Sequence, residues 1–276
     1  METMSDKVLA IYCFLDDFLR ETNRKAENKS YRCSDGLVLT TAVVAARFFY
    51  GNQAAAMRYM AEQQGVVLLE KSAFNRRLHK LADTLEVLFY YLARFFKDLN
   101  VDKTYVIDSF PVPVCDNIRI RHSRLVKGEH YRGKIASKRR FFYGFRVQVI
   151  TTAHGEPVQY LIHPGAFVDV TALQAMDVDL PCGSELFGDS GYTDYEQEDY
   201  YAECEAIVLR MQRKKGSRRP DAPYWVYLKK QIRQKIEQAF SQITARFPKH
   251  IHAVTQHGFV LKIILFLLAH SFEKGL

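Results

Sequence analysis

Near residue 100 the apolar residues change their spacing, and no other feature constrains the fold of this chain so strongly. Upstream they recur every three or four residues, the repeat that lines one face of a helix. Val8, Ile11, Tyr12, Leu15, Phe18 and Leu19 predict a helix over 7–22. An apolar, Ala-rich stretch predicts another over 36–49, and a third covers 52–63 and stops at Gly65. Ser72 is a candidate N-cap for a long helix over 73–97, with Phe74, Leu78, Leu81, Leu85, Leu88, Leu92 and Phe95 as its stripe. Downstream come short apolar runs of strand length. Strands are expected over 103–109 (ended by Pro111 and Pro113), 141–151, 156–163, 184–189 and 206–210. Helices are expected over 170–178, from about 192, over 224–246 and over 259–272. The turn at His154-Gly155 makes a hairpin of the second and third strands. A hairpin followed by alternating helices and strands predicts a three-layer α/β sandwich over 99–276, preceded by an all-helical region over 1–98.

Charge is the second constraint. There are 39 Lys and Arg against 31 Asp and Glu, a formal net charge of +8. Residues 118–146 hold Arg119, Arg121, Arg124, Lys127, Arg132, Lys134, Lys138, Arg139, Arg140 and Arg146 against Glu129 alone. Residues 209–235 hold Arg210, Arg213, Lys214, Lys215, Arg218, Arg219, Lys229, Lys230, Arg233 and Lys235 against Asp221 alone. Each segment is +9, so the remainder is −10. Like charges at this density repel unless a polyanion lies against them. A surface serving only solubility mixes its signs. Both segments interleave aromatics (Tyr131, Phe141, Phe142, Tyr143; Tyr224, Trp225, Tyr227), which can stack on bases. Nucleic acid is the expected partner. In the helical region, 52–63 followed by SAFNRRLHKL is similar to a helix-turn-helix. It would present Arg76, Arg77 and Lys80 to DNA.

Three acids stand out against this background. Asp108 interrupts the apolar run VIDSF, where an unpaired carboxylate costs several kcal/mol. Asp189 ends SELFGD, at the kind of strand end where α/β sheets bind ligands. Glu237 is the only acid between Asp221 and Glu273. Each has a plain structural explanation: a buried Arg for Asp108, a helix cap for Asp189, the i, i+4 neighbour Arg233 for Glu237. Together they are predicted to converge at one sheet edge. Hard oxygen donors in a basic surround suit Mg²⁺ or Mn²⁺ near phosphate.

These residues carry a family resemblance. IDSFPV around Asp108, RGKIASKRRFFYGFRVQVIT, GEPVQYLIHPGAFVDVTAL, GDSGYTD around Asp189 and RQKIE ending in Glu237 resemble DDE transposases of bacterial insertion sequences. The resemblance covers roughly 100–270. It implies a ribonuclease-H-like mixed sheet flanked by helices, preceded by a helical DNA-binding region. It implies Asp108, Asp189 and Glu237 as a catalytic triad binding two Mg²⁺ or Mn²⁺. The activity implied is cleavage of double-stranded DNA at terminal inverted repeats, then strand transfer into target DNA by a homo-oligomer. Phosphates would be held by Arg132, Lys134, Lys138, Arg139, Arg140, Lys214, Lys215, Arg218, Lys229, Lys230 and Arg233. Position 230 is Lys and 244 is Thr where one version of the signature has Tyr and Lys, so no subgroup is implied. Two other readings stay open: a nuclease without strand transfer, and a non-catalytic DNA-binding regulator.

Other signals exclude more than they assert. The five Cys are odd in number and contain no C-x-x-C, which fits free thiols in a reducing compartment. No signal peptide and no membrane span is expected, and the chain is read as cytoplasmic. His250, His252 and His257 lack a Cys or carboxylate to complete a metal site, and no phosphate loop implies ATP.

Overall fold

The computed structural model describes residues 3–22, 33–135 and 139–275. It divides into two compact units, one of Met1–Tyr91 with Ala245–Leu276 and one of Leu92–Thr244.

The first unit is helical. It holds α1 (Met4–Glu21), α2 (Asp35–Phe48), α3 (Gln53–Gln63), α4 (Lys71–Lys80), the first part of α5 (Ala82–Leu99) and α9 (Gln256–Gly275). α2 is apolar on all sides and buried almost throughout, as a helix packed on every face must be. It packs against α1, α3, α4 and α9. Its polar exceptions are satisfied: Thr40 and Thr41 bond carbonyls one turn back, and the Arg47 guanidinium donates to the Phe272 carbonyl at 3.2 Å. The expected helix over 73–97 is two helices. α4 begins after Glu70, not at Ser72, and ends at Leu81, whose N–H is shared between Arg77 and Leu78 carbonyls. Leu78, Leu81 and Leu85 continue one stripe across that break, so periodicity does not register it.

The second unit is built on a six-stranded mixed sheet. Its strands are β1 (Thr104–Cys115), β2 (Arg132–Ile135), β3 (Arg140–Thr152), β4 (Pro157–Pro164), β5 (Glu185–Gly188) and β6 (Val208–Met211). β1 and β4 pair antiparallel with the two edges of β3. β5 and β6 continue the sheet parallel to β1. An antiparallel three-strand meander extended by two parallel strands is the ribonuclease-H-like arrangement. α6 (Asp169–Ala175) connects β4 to β5, α7 (Tyr195–Cys204) connects β5 to β6, and α8 (Pro223–Ala245) follows β6.

Two expectations are corrected here. β1 runs through Pro111 and Pro113 to Cys115. Beyond Val106 its second edge has no β5 partner, so a missing N–H is tolerated there. The basic stretch 118–140, outside every expected strand, contains β2, paired with β3 from Arg132↔Tyr143 to Ile135↔Arg140. Its short, polar pattern gives no strand period. Among the described residues no helix is long and apolar enough to cross a membrane.

Candidate active site

Asp108 and Asp189 are placed side by side by strand register. β1 and β5 pair in parallel as Thr104↔Glu185, Tyr105↔Leu186 and Val106↔Phe187. Two residues further along each chain stand Asp108 and Asp189. The side-chain-free Gly188 precedes Asp189 in close packing: a Cβ there would lie 2.6 Å from Met211 Sδ and 2.9 Å from Ile107 Cγ2, so a side chain would force both to shift. Asp189 then caps the turn 190–192, accepting from the Gly191 N–H at 2.6 Å. Burial pushes the Asp108 carboxyl up to about 7. The Ser109 N–H, at 2.7 Å, acts against that rise, while the nearby Asp189 and Asp169 charges add to it. Asp108 and Asp189 are the paired carboxylates here that could hold a hard cation.

Glu237 stands at the same end of the sheet but is not drawn in. Its carboxylate is 64% exposed and accepts from Arg233 Nε at 3.0 Å. Arg233 also donates to Gln212 Oε1, and the Gln212 N–H donates to the Gly188 carbonyl, one residue before Asp189. One turn beyond Glu237, Phe240 packs edge-on against Phe110 of β1, two residues past Asp108. The structure thus brings Asp108 and Asp189 together and sets the helix of Glu237 alongside. Among the described residues no three His, Cys, Asp or Glu side chains are gathered closely enough to hold an ion.

A family model described as "Transposase DDE domain" matches residues 99–247, more than half the chain. The chain belongs to the transposase DDE-domain family. No curated protein and no solved structure matches it.

The transposase domain holds a further carboxylate at this centre, Asp169 at the start of α6. Its Oδ1 accepts from Ser109 Oγ at 3.0 Å and from Arg146 Nη1 at 3.3 Å. In the sequence Asp169 stands just before the expected helix over 170–178, and Arg146 is one cation of ten. No local signal could have joined them, because β3 and α6 meet only in the folded sheet. The Tyr192 hydroxyl is buried in the field of all three Asp side chains and is raised well above its usual range, chiefly by burial.

The cations of the transposase sort into two groups. Several are spent inside the fold. Arg213 makes a bidentate pair with Glu198, 2.6 Å on both arms, and Lys229 is buried on Asp221 and the Met211 carbonyl. Arg77 pairs with Asp35 at 2.6 Å, whereas the pair of Arg233 with Glu237 lies at the surface. Arg132 makes a long contact to Glu129, at 3.4 Å. The rest face solvent: Arg76, Lys80, Lys134, Arg139, Arg140, Lys214, Lys215, Arg218 and Lys230. Lys214, Lys215, Lys230 and Arg233 line an open cavity of about 670 Å³ after β6. Lys138 lies outside the described residues.

Proposed function

We propose that this transposase cuts double-stranded DNA at the ends of an insertion sequence and joins the freed ends to target DNA, with Mg²⁺ or Mn²⁺ held by Asp108, Asp189 and Glu237. The observation that carries this reading is the register that sets Asp108 beside Asp189 within the region matched by the family. The donors fit a hard cation, since all are carboxylate oxygens. Space fits as well. A Cβ on Gly191 would lie 2.8 Å from Asp189 Oδ1 and 3.0 Å from Asp169 Oδ2, so glycine keeps open a cradle walled by carboxylates.

Two such ions, when bound, activate a nucleophile and stabilise the leaving oxygen in phosphodiester displacement. The chain's own residues do the rest. Asp108 would hold the cation as a carboxylate. Glu237 would join it at the cost of its contact with Arg233, an exposed i, i+4 pair worth only about 0.3–0.5 kcal/mol. Arg233, with Lys214, Lys215, Arg218 and Lys230, would meet DNA phosphates. These contacts position the duplex without reading its sequence. The same reading gives residues 1–98 the recognition of the terminal repeats and 99–276 the chemistry, in a cytoplasmic homo-oligomer that pairs two ends.

The test is a supercoiled plasmid carrying the element's ends, incubated with protein and Mg²⁺. Nicked and strand-transferred products are expected from the wild type. Asp108→Ala is expected to bind the DNA and leave it intact. Full nicking by Asp108→Ala sinks the assignment. Cleavage without joined products marks a nuclease, and binding without cleavage in Mg²⁺ and in Mn²⁺ marks a regulator.

A further inference from the structure

The acidic centre contains an arginine. Arg146 projects from β3, opposite Pro111 of β1, and its charge acts on Asp108. An arginine free to swing there would pair with Asp108 or Asp189 bidentately and take the place of a cation. Arg146 is held instead. Nη2 donates to the Lys134 carbonyl at 2.9 Å, and Nη1 lies 3.3 Å from both Ser109 Oγ and Asp169 Oδ1. Its side chain is 17% exposed. Asp169 is the one charged member of this set of acceptors. Its second oxygen, Oδ2, faces Asp189 Oδ1 across Gly191. The Tyr192 hydroxyl, buried and without a hydrogen bond of good geometry among the described residues, points into the same space.

We propose that Asp169 is a positioning residue of the metal centre: its Oδ1 clamps Ser109 and Arg146, and so keeps the Arg146 guanidinium off Asp108 and Asp189 and leaves those carboxylates open to the cation. The proposal rests on the metal-binding reading of Asp108 and Asp189. It goes beyond that reading by assigning α6 and β3 a role in metal affinity. It accounts for two features at once: an acid on the first turn of α6 facing inward rather than to solvent, and an arginine beside two acids with which it makes no ion pair.

Direct Mn²⁺ binding, read as loss of the free-ion electron paramagnetic resonance signal without DNA, tests it. Asp169→Asn should weaken Mn²⁺ binding by about 10–100-fold, the range for groups that orient metal ligands. Arg146→Gln placed in the Asp169→Asn background should restore binding, because the competing cation is then gone. A purely structural role gives the opposite: the double variant binds no better than Asp169→Asn, and its metal-free melting temperature falls further. That result, or unchanged Mn²⁺ affinity in Asp169→Asn, overturns the proposal. Should Asp169→Asn fail to fold, Ser109→Ala removes the hydroxyl shared by Asp169 and Arg146 and is read the same way, with a smaller loss. Asp108→Asn separates the two levels. It should abolish Mn²⁺ binding. If it binds Mn²⁺ normally, the metal centre itself is wrong. If it loses binding while Asp169→Asn does not, only the role of Asp169 falls.

Discussion

Asp108 holds its proton to a higher pH in the fold than outside it, and stability must follow. Its carboxyl ionises near 3.8 in an open chain and is pushed up to about 7 here, mainly by burial. Between those values the folded state binds more protons than the unfolded one. Stability of the metal-free protein therefore falls as pH rises from about 4 to about 7, and the loss is complete above that. Asp108→Asn removes the ionisation. In EDTA the advantage of the variant over the wild type should grow between pH 5 and pH 8 by roughly 2–3 kcal/mol. Equal differences at both pH values would show that the carboxylate is not the cause. His163 acts in the other direction. It is buried on β4, its Nδ1 is 3.0 Å from the Pro164 carbonyl, and burial lowers its pKa. An unfolded chain takes up that proton first, so His163 removes stability as pH falls below about 6.5. Melting curves of Asp108→Asn should expose this acid-side slope, and adding His163→Gln should flatten it.

At the scale of elements, the segment after β6 shows why a run of cations is not a uniform surface. Arg213 and Glu198 are 13% and 8% exposed, with both arms of the fork made. Breaking such a pair leaves a buried charge and costs about 3–5 kcal/mol, so Arg213→Ala should appear first as lost thermal stability. Lys214 and Lys215, one and two residues on, are exposed. Alanine at both should shift stability by less than about 0.5 kcal/mol. It should also weaken DNA binding and lower the slope of log K against log salt by about 0.9 for each phosphate no longer neutralised. Filter binding at low and at physiological salt reads that slope. At the end of β5, Gly188→Ala should cost roughly 1–3 kcal/mol through overpacking against Met211 and Ile107, and should weaken Mn²⁺ binding because Asp189 moves with it. Such distinctions mark the limit of what the chain alone discloses. The strands β1, β3 and β4 and the helix α8 are legible because burial demands apolar residues along them. β2 is not, because its partners in β3 create it. Asp108 and Asp189 are legible as acids out of place. Asp169 is not, because an Asp at a helix start needs no explanation until Arg146 is seen beside it.

For the whole molecule, the family match and the folded units do not share a boundary. The match ends at residue 247, yet everything beyond Thr244 belongs with the N-terminal helices. α9 supplies that helical unit with Phe259, Leu261, Ile263, Ile264, Leu265, Phe266, Leu267, Leu268 and Phe272, all buried. Arg47 gives its guanidinium to the Phe272 carbonyl, Phe14 packs edge-on against the Phe272 ring at 5.4 Å, and Arg246 pairs with Glu273. Each large apolar side chain taken from water contributes about 1.5–3 kcal/mol. Together these side chains contribute at least as much as most of the roughly 5–15 kcal/mol net stability of a typical domain, so the unit cannot spare them. A chain cut after residue 247 keeps the family match intact and loses this core. Its far-UV circular dichroism should therefore fall by much more than the 20 residues of α9 represent. α1 and α2 should melt with it, exposing apolar surface that binds a hydrophobic dye. In the uncut chain Phe272→Ala should cost about 3–5 kcal/mol by the same route. If the truncated chain loses only the helicity of α9 itself, the discontinuous helical unit does not fold as one body. The two ends of the sequence would then owe their stability to separate cores.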